Sequence, residues 1–349
     1  MTQLDLPDLP DVPELDDADL AARVQHAIDR KTKPLGALGR IEALALQLAC
    51  IQGRERPELT QPQMLVFAAD HGLTAQGVSA YPADVTAQMV LNFLHGGAAV
   101  SVLARQHGLA LTVVDVGVRQ AFEPHPRLRR CKVAPGTADA SQAPAMTRAQ
   151  CAQAIGVGRE VVASLPGDAV LLGEMGIGNS SAAALLVARL TGLPIEVCTG
   201  RGTGLDDAAL AHKTAVLAQV LARHADATDP LAALAALGGL EIAALVGAVL
   251  QAADDRRVIV VDGYIVGAAV LVAQRLRPAV LQRCVFAHRS QEPGHRLLLD
   301  HLGVRPLLDL DLRLGEGSGA ALAWPLLASA CRILAEMASF ESAGVSDRT

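Results

Sequence analysis

Two glutamates in this chain stand inside glycine-rich stretches, each shortly after an apolar run. The first lies in Gly173-Glu174-Met175-Gly176-Ile177-Gly178-Asn179-Ser180-Ser181 and the second in Leu314-Gly315-Glu316-Gly317-Ser318-Gly319. Glycine tolerates positive φ and lets a ligand come close to the backbone. A carboxylate between glycines is poorly placed to pack a core and well placed for chemistry. The pair predicts one site with two acidic groups and exposed backbone N–H donors.

The stretch Gly173–Ser181 runs into a helix expected from about Ser180, and N–H groups at a helix N-terminus attract anions, phosphate above all. No Gly-Lys-Ser/Thr follows, so it is not a Walker A loop, and the dinucleotide pattern GxGxxG is absent from the right place. A single phosphate fits better than a triphosphate or a dinucleotide; the competing reading is a tight turn with a surface glutamate. A second glycine-rich turn, Thr199-Gly200-Arg201-Gly202-Thr203-Gly204, is followed by Lys213 in the next helix. It suits phosphate or ribose hydroxyls, with an ordinary loop as the alternative. Asp70-His71-Gly72 reads as a structural hydrogen-bonding unit, with metal or acid–base work as the alternative. In His288-Arg289-Ser290-Gln291-Glu292-Pro293-Gly294-His295 the zinc-hydrolase spacings HExxH and HxxEH are missing, which disfavours that chemistry. Tyr81, one of two tyrosines, sits in Gly77-Val78-Ser79-Ala80-Tyr81-Pro82 ahead of Gln88. It is either a packed loop residue or a platform for a flat ligand.

These residues need a frame, and the apolar runs supply one. Met64–Ala69, Ala110–Val114, Ala169–Leu172, Pro194–Val197, Val258–Val261 and Cys284–Ala287 each end at a polar residue beside or near glycine, and a weaker run, Pro306–Leu312, leads to Glu316. Runs without alternation suit strands buried on both faces of a parallel sheet. Helical segments are expected at Asp84–Arg105, Thr147–Ser164, Ser180–Leu190, Asp206–His224, Asp229–Ala253, Tyr264–Leu276 and Ser318–Met337. The alternation predicts an α/β fold, a Rossmann-like parallel sheet with helices on both faces. Ligands then bind beyond the carboxyl ends of the strands, where the polar residues converge. Residues 16–52 read as helix, with Asp16-Asp17 able to cap the first turn. The expected organisation is a large α/β domain over 60–317. A smaller helical domain is expected from 1–52 together with the C-terminal helix within 318–349. The first fifteen residues and the last seven or so are expected to be mobile.

Bulk properties narrow the class. The chain has 349 residues and is 51% apolar, enough for a large core, but only 2% aromatic, so that core is mostly Ala, Leu and Val. Net charge is −6 and the chain has no basic tract, which disfavours a nucleic-acid partner. The acidic, proline-rich start lacks the layout of a secretory signal, and the apolar stretches are broken by charges, so no membrane span is expected. Six scattered cysteines, none in a CxxC, read as reduced thiols of a cytoplasmic protein rather than as a zinc site.

Several long motifs, taken in order, carry a resemblance. They are TKPLGALGRIE (32–42), FAADHGLTAQGVSAYPADVTAQMVLNFLHGGAAVSVLARQ (67–106), GEMGIGNSSAAALL (173–186), GRGTGLDD (200–207), VDGYIVGAA (261–269), QEPGH (291–295) and LGEGSGAALA (314–323). From about residue 20 to 345 the chain resembles the nicotinate-nucleotide:dimethylbenzimidazole phosphoribosyltransferases of the cobalamin lower-ligand pathway. It departs in having Ser180, Ser181 and Ser318 where threonine is usual, and Leu35 and Ala37 where proline and serine are usual. The resemblance implies transfer of 5-phosphoribose from nicotinate mononucleotide to 5,6-dimethylbenzimidazole, giving α-ribazole 5′-phosphate and nicotinate, by a homodimer with the site near the subunit interface. It implies Glu316 as general base with Glu174 beside it. Ser79, Tyr81, Gln88 and Leu314 would then be around the benzimidazole, and Gly176, Gly178, Asn179, Ser180, Gly202 and Lys213 around the nucleotide. Neither reaction step demands a metal or other cofactor, and no pyrophosphate leaves. The alternative from another class is a non-catalytic nucleotide-binding or sensor protein on the same fold.

Overall fold

The computed structural model describes residues 9–202 and 204–346. Thr203 of the second glycine-rich turn lies outside the described residues, as do 1–8 and 347–349 of the termini expected to be mobile.

Six strands are present among the described residues: β1 (Gln63–Ala69), β2 (Ala110–Gly117), β3 (Leu128–Arg130), β4 (Ala169–Met175), β5 (Val258–Val261) and β6 (Cys284–Phe286). The helices before β4 are α1 (Ala18–Asp29), α2 (Arg40–Gln52), α3 (Val85–His95), α4 (Ala99–His107) and α5 (Arg148–Ala163). Between β4 and β5 lie α6 (Asn179–Thr191), α7 (Ile195–Cys198), α8 (Asp207–Arg223), α9 (Pro230–Leu237) and α10 (Leu240–Asp254). Then follow α11 (Tyr264–Leu276), α12 (Pro293–Leu302), α13 (Ser318–Glu336) and α14 (Phe340–Ala343).

All strand pairings are parallel, in the order β3-β2-β1-β4-β5-β6. The order reverses between β1 and β4, so a crevice opens beyond their carboxyl ends. Every residue of β1 and β4 is buried, as the unbroken apolar runs require. Alternate strand residues feed two cores. Leu65, Phe67, Val170, Leu172, Ile259 and Val261 join residues of α5, α6, α9, α10 and α11 on one face. Met64, Val66, Ala68, Leu171, Val258 and Val260 join residues of α1, α2, α3, α4 and α13 on the other. The second core thus holds both the N-terminal helices and the C-terminal one. Two apolar stretches, Val85–His107 and Ser318–Glu336, are long enough to cross a membrane, but both supply residues to this core.

Several boundaries differ from the sequence expectation, each for a local reason. Asp84–Arg105 is two helices, because Gly96 (φ 84°) ends α3 in the left-handed region. Asp229–Ala253 breaks at Gly238 and Gly239, both extended. Residues 16–52 likewise form two helices, α1 and α2, and Asp17 caps α1 by accepting the Leu20 N–H at 2.8 Å. Pro194–Val197 is no strand: Thr199 returns its N–H and hydroxyl to the Ile195 carbonyl and closes the single turn of α7. Pro306–Leu312 is no strand of the sheet, but it runs beside the end of β6: the Leu307 N–H donates to the Phe286 carbonyl at 2.9 Å, and Leu308 forms an isolated bridge with His288. Strand β3 is short and carries two arginines, so it left no apolar signal. Residues 9–15, expected to be mobile, lie against the fold. Val12 is buried, Arg277 donates to the Pro10 carbonyl at 3.0 Å, and the Leu15 N–H donates to Gln282 Oε1 at 2.6 Å.

Candidate active site

At the carboxyl ends of the strands a cleft of about 710 Å³ opens. Ser79, Tyr81, Glu174, Gly176, Gly178, Asn179, Ser180, Gly202, Lys213, Leu314 and Glu316 all line it. Gln88 does not: it is exposed on α3, although its neighbours Val85 and Met89 are in the lining.

Glu174 lies on β4 itself, paired with Phe67 of β1, and is buried. Its two oxygens are both engaged by the protein. Oε1 accepts the Glu316 backbone N–H at 3.3 Å, and Oε2 accepts the Asn179 side-chain amide. Burial pushes this carboxyl up to about 8, with the Asn179 hydrogen bond opposing the shift and the Asp262 charge adding to it. Glu316 is different. Its carboxylate accepts no hydrogen bond from the described residues, yet the residue is only 7% exposed and faces the cleft. Burial, then the Asp262 charge, pushes it up to about 7.

The backbone around Glu316 is unusual. Gly315, Glu316 and Gly317 have φ of 77°, 65° and 83°, all left-handed. For a glutamate this conformation costs on the order of 1–3 kcal/mol, so the surroundings must hold it. The glycines answer to space as well as angle. A Cβ on Gly173 would lie 2.6 Å from the Glu316 carbonyl oxygen, and one on Gly315 would lie 2.5 Å from Glu174 Oε1. The two glycine-rich stretches, remote in sequence, are therefore packed against each other.

A second group of residues suits an anion. Gly178 (φ 93°) precedes α6, whose N-terminus opens on the cleft through Asn179 and Ser180. Lys213 of α8 is almost fully buried, donating to Ser180 Oγ at 3.0 Å and to the Gly200 carbonyl at 3.2 Å. Burial pulls its ammonium down to about 8, partly countered by Glu292. A phosphate here would favour the charged form further. Val78, Val85, Met89, Met175 and Ile177 supply an apolar lining suited to a flat heterocycle, with Tyr81 half exposed at its edge.

Other cleft residues went unassigned from the sequence. Asp262, noted only as the end of an apolar run, is buried and accepts the N–H groups of Gly317 at 3.1 Å and Ala320 at 2.9 Å. His288 stands behind it, Nδ1 at 3.8 Å. Ser290, Glu292, Arg201 and Arg313 also line the cleft. The strand-end position was the available signal for Asp262; for Arg313, on an irregular loop, there was none.

His71, just past β1, pairs with Glu241 of α10, Nε2 to Oε1 at 2.7 Å, both buried. Burial alone would lower the imidazole, but the charge and hydrogen bond of Glu241 outweigh it and raise it. The His71 ring lies against Gly176, 3.2 Å from where a Cβ would stand, and its bond to Glu241 is the kind of buried hydrogen bond expected of Asp70-His71-Gly72. No cluster of three or more metal-ligating side chains occurs among the described residues.

Comparison with known proteins points to one family. A family model described as phosphoribosyltransferase matches residues 13–345. The chain is 72% identical over 330 residues to a nicotinate-nucleotide–dimethylbenzimidazole phosphoribosyltransferase of Variovorax paradoxus, covering 95% of each. It is 61% identical over 333 residues to the Cupriavidus taiwanensis protein of the same name, covering 95% of this chain and 96% of that one. A crystal structure of CobT from Thermus thermophilus matches with a TM-score of 0.92 at 46% identity, covering 95% of this chain and all of that one.

Proposed function

Because the chain belongs to the nicotinate-nucleotide–dimethylbenzimidazole phosphoribosyltransferase family, we propose that its cleft transfers 5-phosphoribose from nicotinate mononucleotide to 5,6-dimethylbenzimidazole. The observation that carries this reading is the Glu316 carboxylate. It is buried at the cleft wall, accepts no hydrogen bond from the described residues, and is raised to about 7. A group held near neutrality is the best compromise for a general base.

The steps follow from the chemistry of the two substrates. One benzimidazole nitrogen attacks C1′ of the ribose while the bond from C1′ to the pyridinium nitrogen breaks, and those electrons return to nicotinate as a neutral lone pair. The leaving group therefore needs no acid. The attacking ring becomes cationic, and its other N–H passes its proton to Glu316. Attack from the face opposite nicotinate inverts the centre, so a β-nucleotide yields α-ribazole 5′-phosphate. Positive charge at C1′ in the transition state is favoured by a nearby ionised carboxylate, as in other glycosyl transfers. The Ser180–Lys213 group with Gly176, Gly178, Asn179 and Gly202 takes the nucleotide phosphate. Ser79, Tyr81 and Leu314 take the benzimidazole, with Gln88 beside them on α3.

Family resemblance also supports a homodimer in the cytoplasm. Tyr81, Leu310 and Leu314, each more than half exposed, suit a mouth closed by a second subunit. A non-catalytic sensor is disfavoured, since a binding protein has no need of a glutamate in the left-handed region whose carboxylate accepts no hydrogen bond from the described residues.

Incubating the purified protein with the two substrates and resolving products by mass tests the reading. α-Ribazole 5′-phosphate and nicotinate in equal amounts are expected; nucleotide binding by calorimetry with no product from any base would overturn it.

A further inference from the structure

Helix α13 starts without a local cap: its N-cap is Gly317, and no side chain of its own segment closes the first turn. The capping group comes from the far side of the site. Asp262, at the carboxyl end of β5, accepts the Gly317 N–H through Oδ2 at 3.1 Å and the Ala320 N–H through Oδ1 at 2.9 Å. The N–H one residue earlier, that of Glu316, goes to Glu174 Oε1 at 3.3 Å. Two carboxylates at the ends of adjacent strands thus grip successive N–H groups of a left-handed turn. Consecutive N–H groups in such a turn form a concavity that favours anions, and the positive end of α13 adds to it.

We propose that Asp262 is a positioning residue for phosphoribosyl transfer, whose carboxylate holds the Gly315–Gly317 turn in the left-handed form that aims Glu316 into the cleft. This rests on the reading of Glu316 as the base. The turn cannot hold itself, because Glu316 at φ 65° is not a glycine and relaxes to ordinary backbone once released. Space is closed behind Asp262 as well. His288 stands 3.8 Å away, and a Cβ on neighbouring Gly319 would run into its ring. Asp262 also acts through charge. Titratable groups that line the cleft with Glu316 include Glu174 from β4, Asp262 from β5 and His288 beyond β6, together with Glu292, Asp311, Lys213 and Arg313. Of these, Asp262 is the neighbour whose negative charge raises Glu316.

The test is Asp262→Asn. Its amide nitrogen would face a backbone N–H, so one of the two N–H bonds is lost together with the charge. Expected are a fall in kcat of about 10–100-fold, KM for nicotinate mononucleotide within about threefold of the parent, and the acidic limb of the kcat–pH profile displaced to lower pH. The displacement follows from removing a negative charge beside Glu316, and a purely structural loss would leave the limb in place. Asp262→Ser, which keeps an acceptor for one N–H but no charge, should recover part of kcat and keep the displaced limb. Glu316→Gln run in parallel separates the two readings: full activity there removes the base itself. An inactive Glu316→Gln beside a normal Asp262→Asn with an unmoved limb overturns only the role of Asp262. Failure of both Asp262 variants to fold also overturns it, since the residue would then serve the whole scaffold.

Discussion

The backbone N–H of Glu316 donates to Oε1 of Glu174 at 3.3 Å, across 142 residues of sequence. One glutamate thereby helps fix the main chain of the other. Glu174 commits its second oxygen to Asn179, and the carboxylate of Glu316 is left for the cleft. Two acids that look alike in the sequence divide into a holder and a held group.

Glu316 sets the first expectation. It is raised to about 7, chiefly by burial, and a base acts only when deprotonated. The kcat of the parent protein should therefore rise with pH through about 7 and level off above it. Glu316→Gln should lower kcat by about 10²–10⁴ and abolish that limb, with KM little changed. Steady-state kinetics across pH in both proteins would check this; a limb that persists in the variant belongs to another group.

Glu174 bears on stability. Its folded value, about 8, lies above the ordinary glutamate value. The folded state then holds a proton that the unfolded chain has already lost, so this contribution is complete below about pH 4 and disappears as pH rises through about 8. Glu316 acts in the same sense up to about 7. Melting temperatures of the substrate-free protein should fall by several degrees across this window, and Glu174→Gln should flatten the fall. A parent whose Tm is level from pH 5 to 8 would contradict the raised values.

Lys213 is held by Ser180 and the Gly200 carbonyl at the phosphate end of the cleft. A charge-assisted hydrogen bond is worth about 1.5–3 kcal/mol. Lys213→Met should accordingly raise KM for nicotinate mononucleotide by about 10–100-fold, with a much smaller change in kcat and in the apparent affinity for the benzimidazole. Equal effects on both substrates would place Lys213 elsewhere than at the phosphate.

Gly173 tests the packing between the two glycine-rich stretches. An alanine Cβ there would stand 2.6 Å from the Glu316 carbonyl oxygen and 2.6 Å from the Gly317 nitrogen. Backbone must shift, at a cost of about 1–3 kcal/mol. Gly173→Ala should lower Tm and reduce kcat at least tenfold while the protein still folds. Unchanged kinetics would show that the spacing of the two stretches is not critical.

Much of this was legible in the chain. The unbroken apolar runs of β1, β4 and β5 marked strands buried on both faces, and α5, α8 and α11 lay within a residue or so of expectation. Local signals failed where the outcome depended on contacts elsewhere. The Pro194–Val197 run had strand composition but closed into one helical turn. The pairs Gly96-Gly97 and Gly238-Gly239 broke two helices that apolar pattern alone had joined.

By itself, then, the sequence determined the alternation of elements, the glycine-flanked glutamates, and the polar residues at strand ends, because apolar period and backbone freedom are properties of neighbouring residues. Tertiary structure alone decided the reversal of strand order between β1 and β4, the union of His71 with Glu241 across 170 residues, and the grip of Glu174 and Asp262 on one left-handed turn. A carboxylate's role depends on which N–H groups reach it and how much water it loses, and both are set by chain segments far away in sequence.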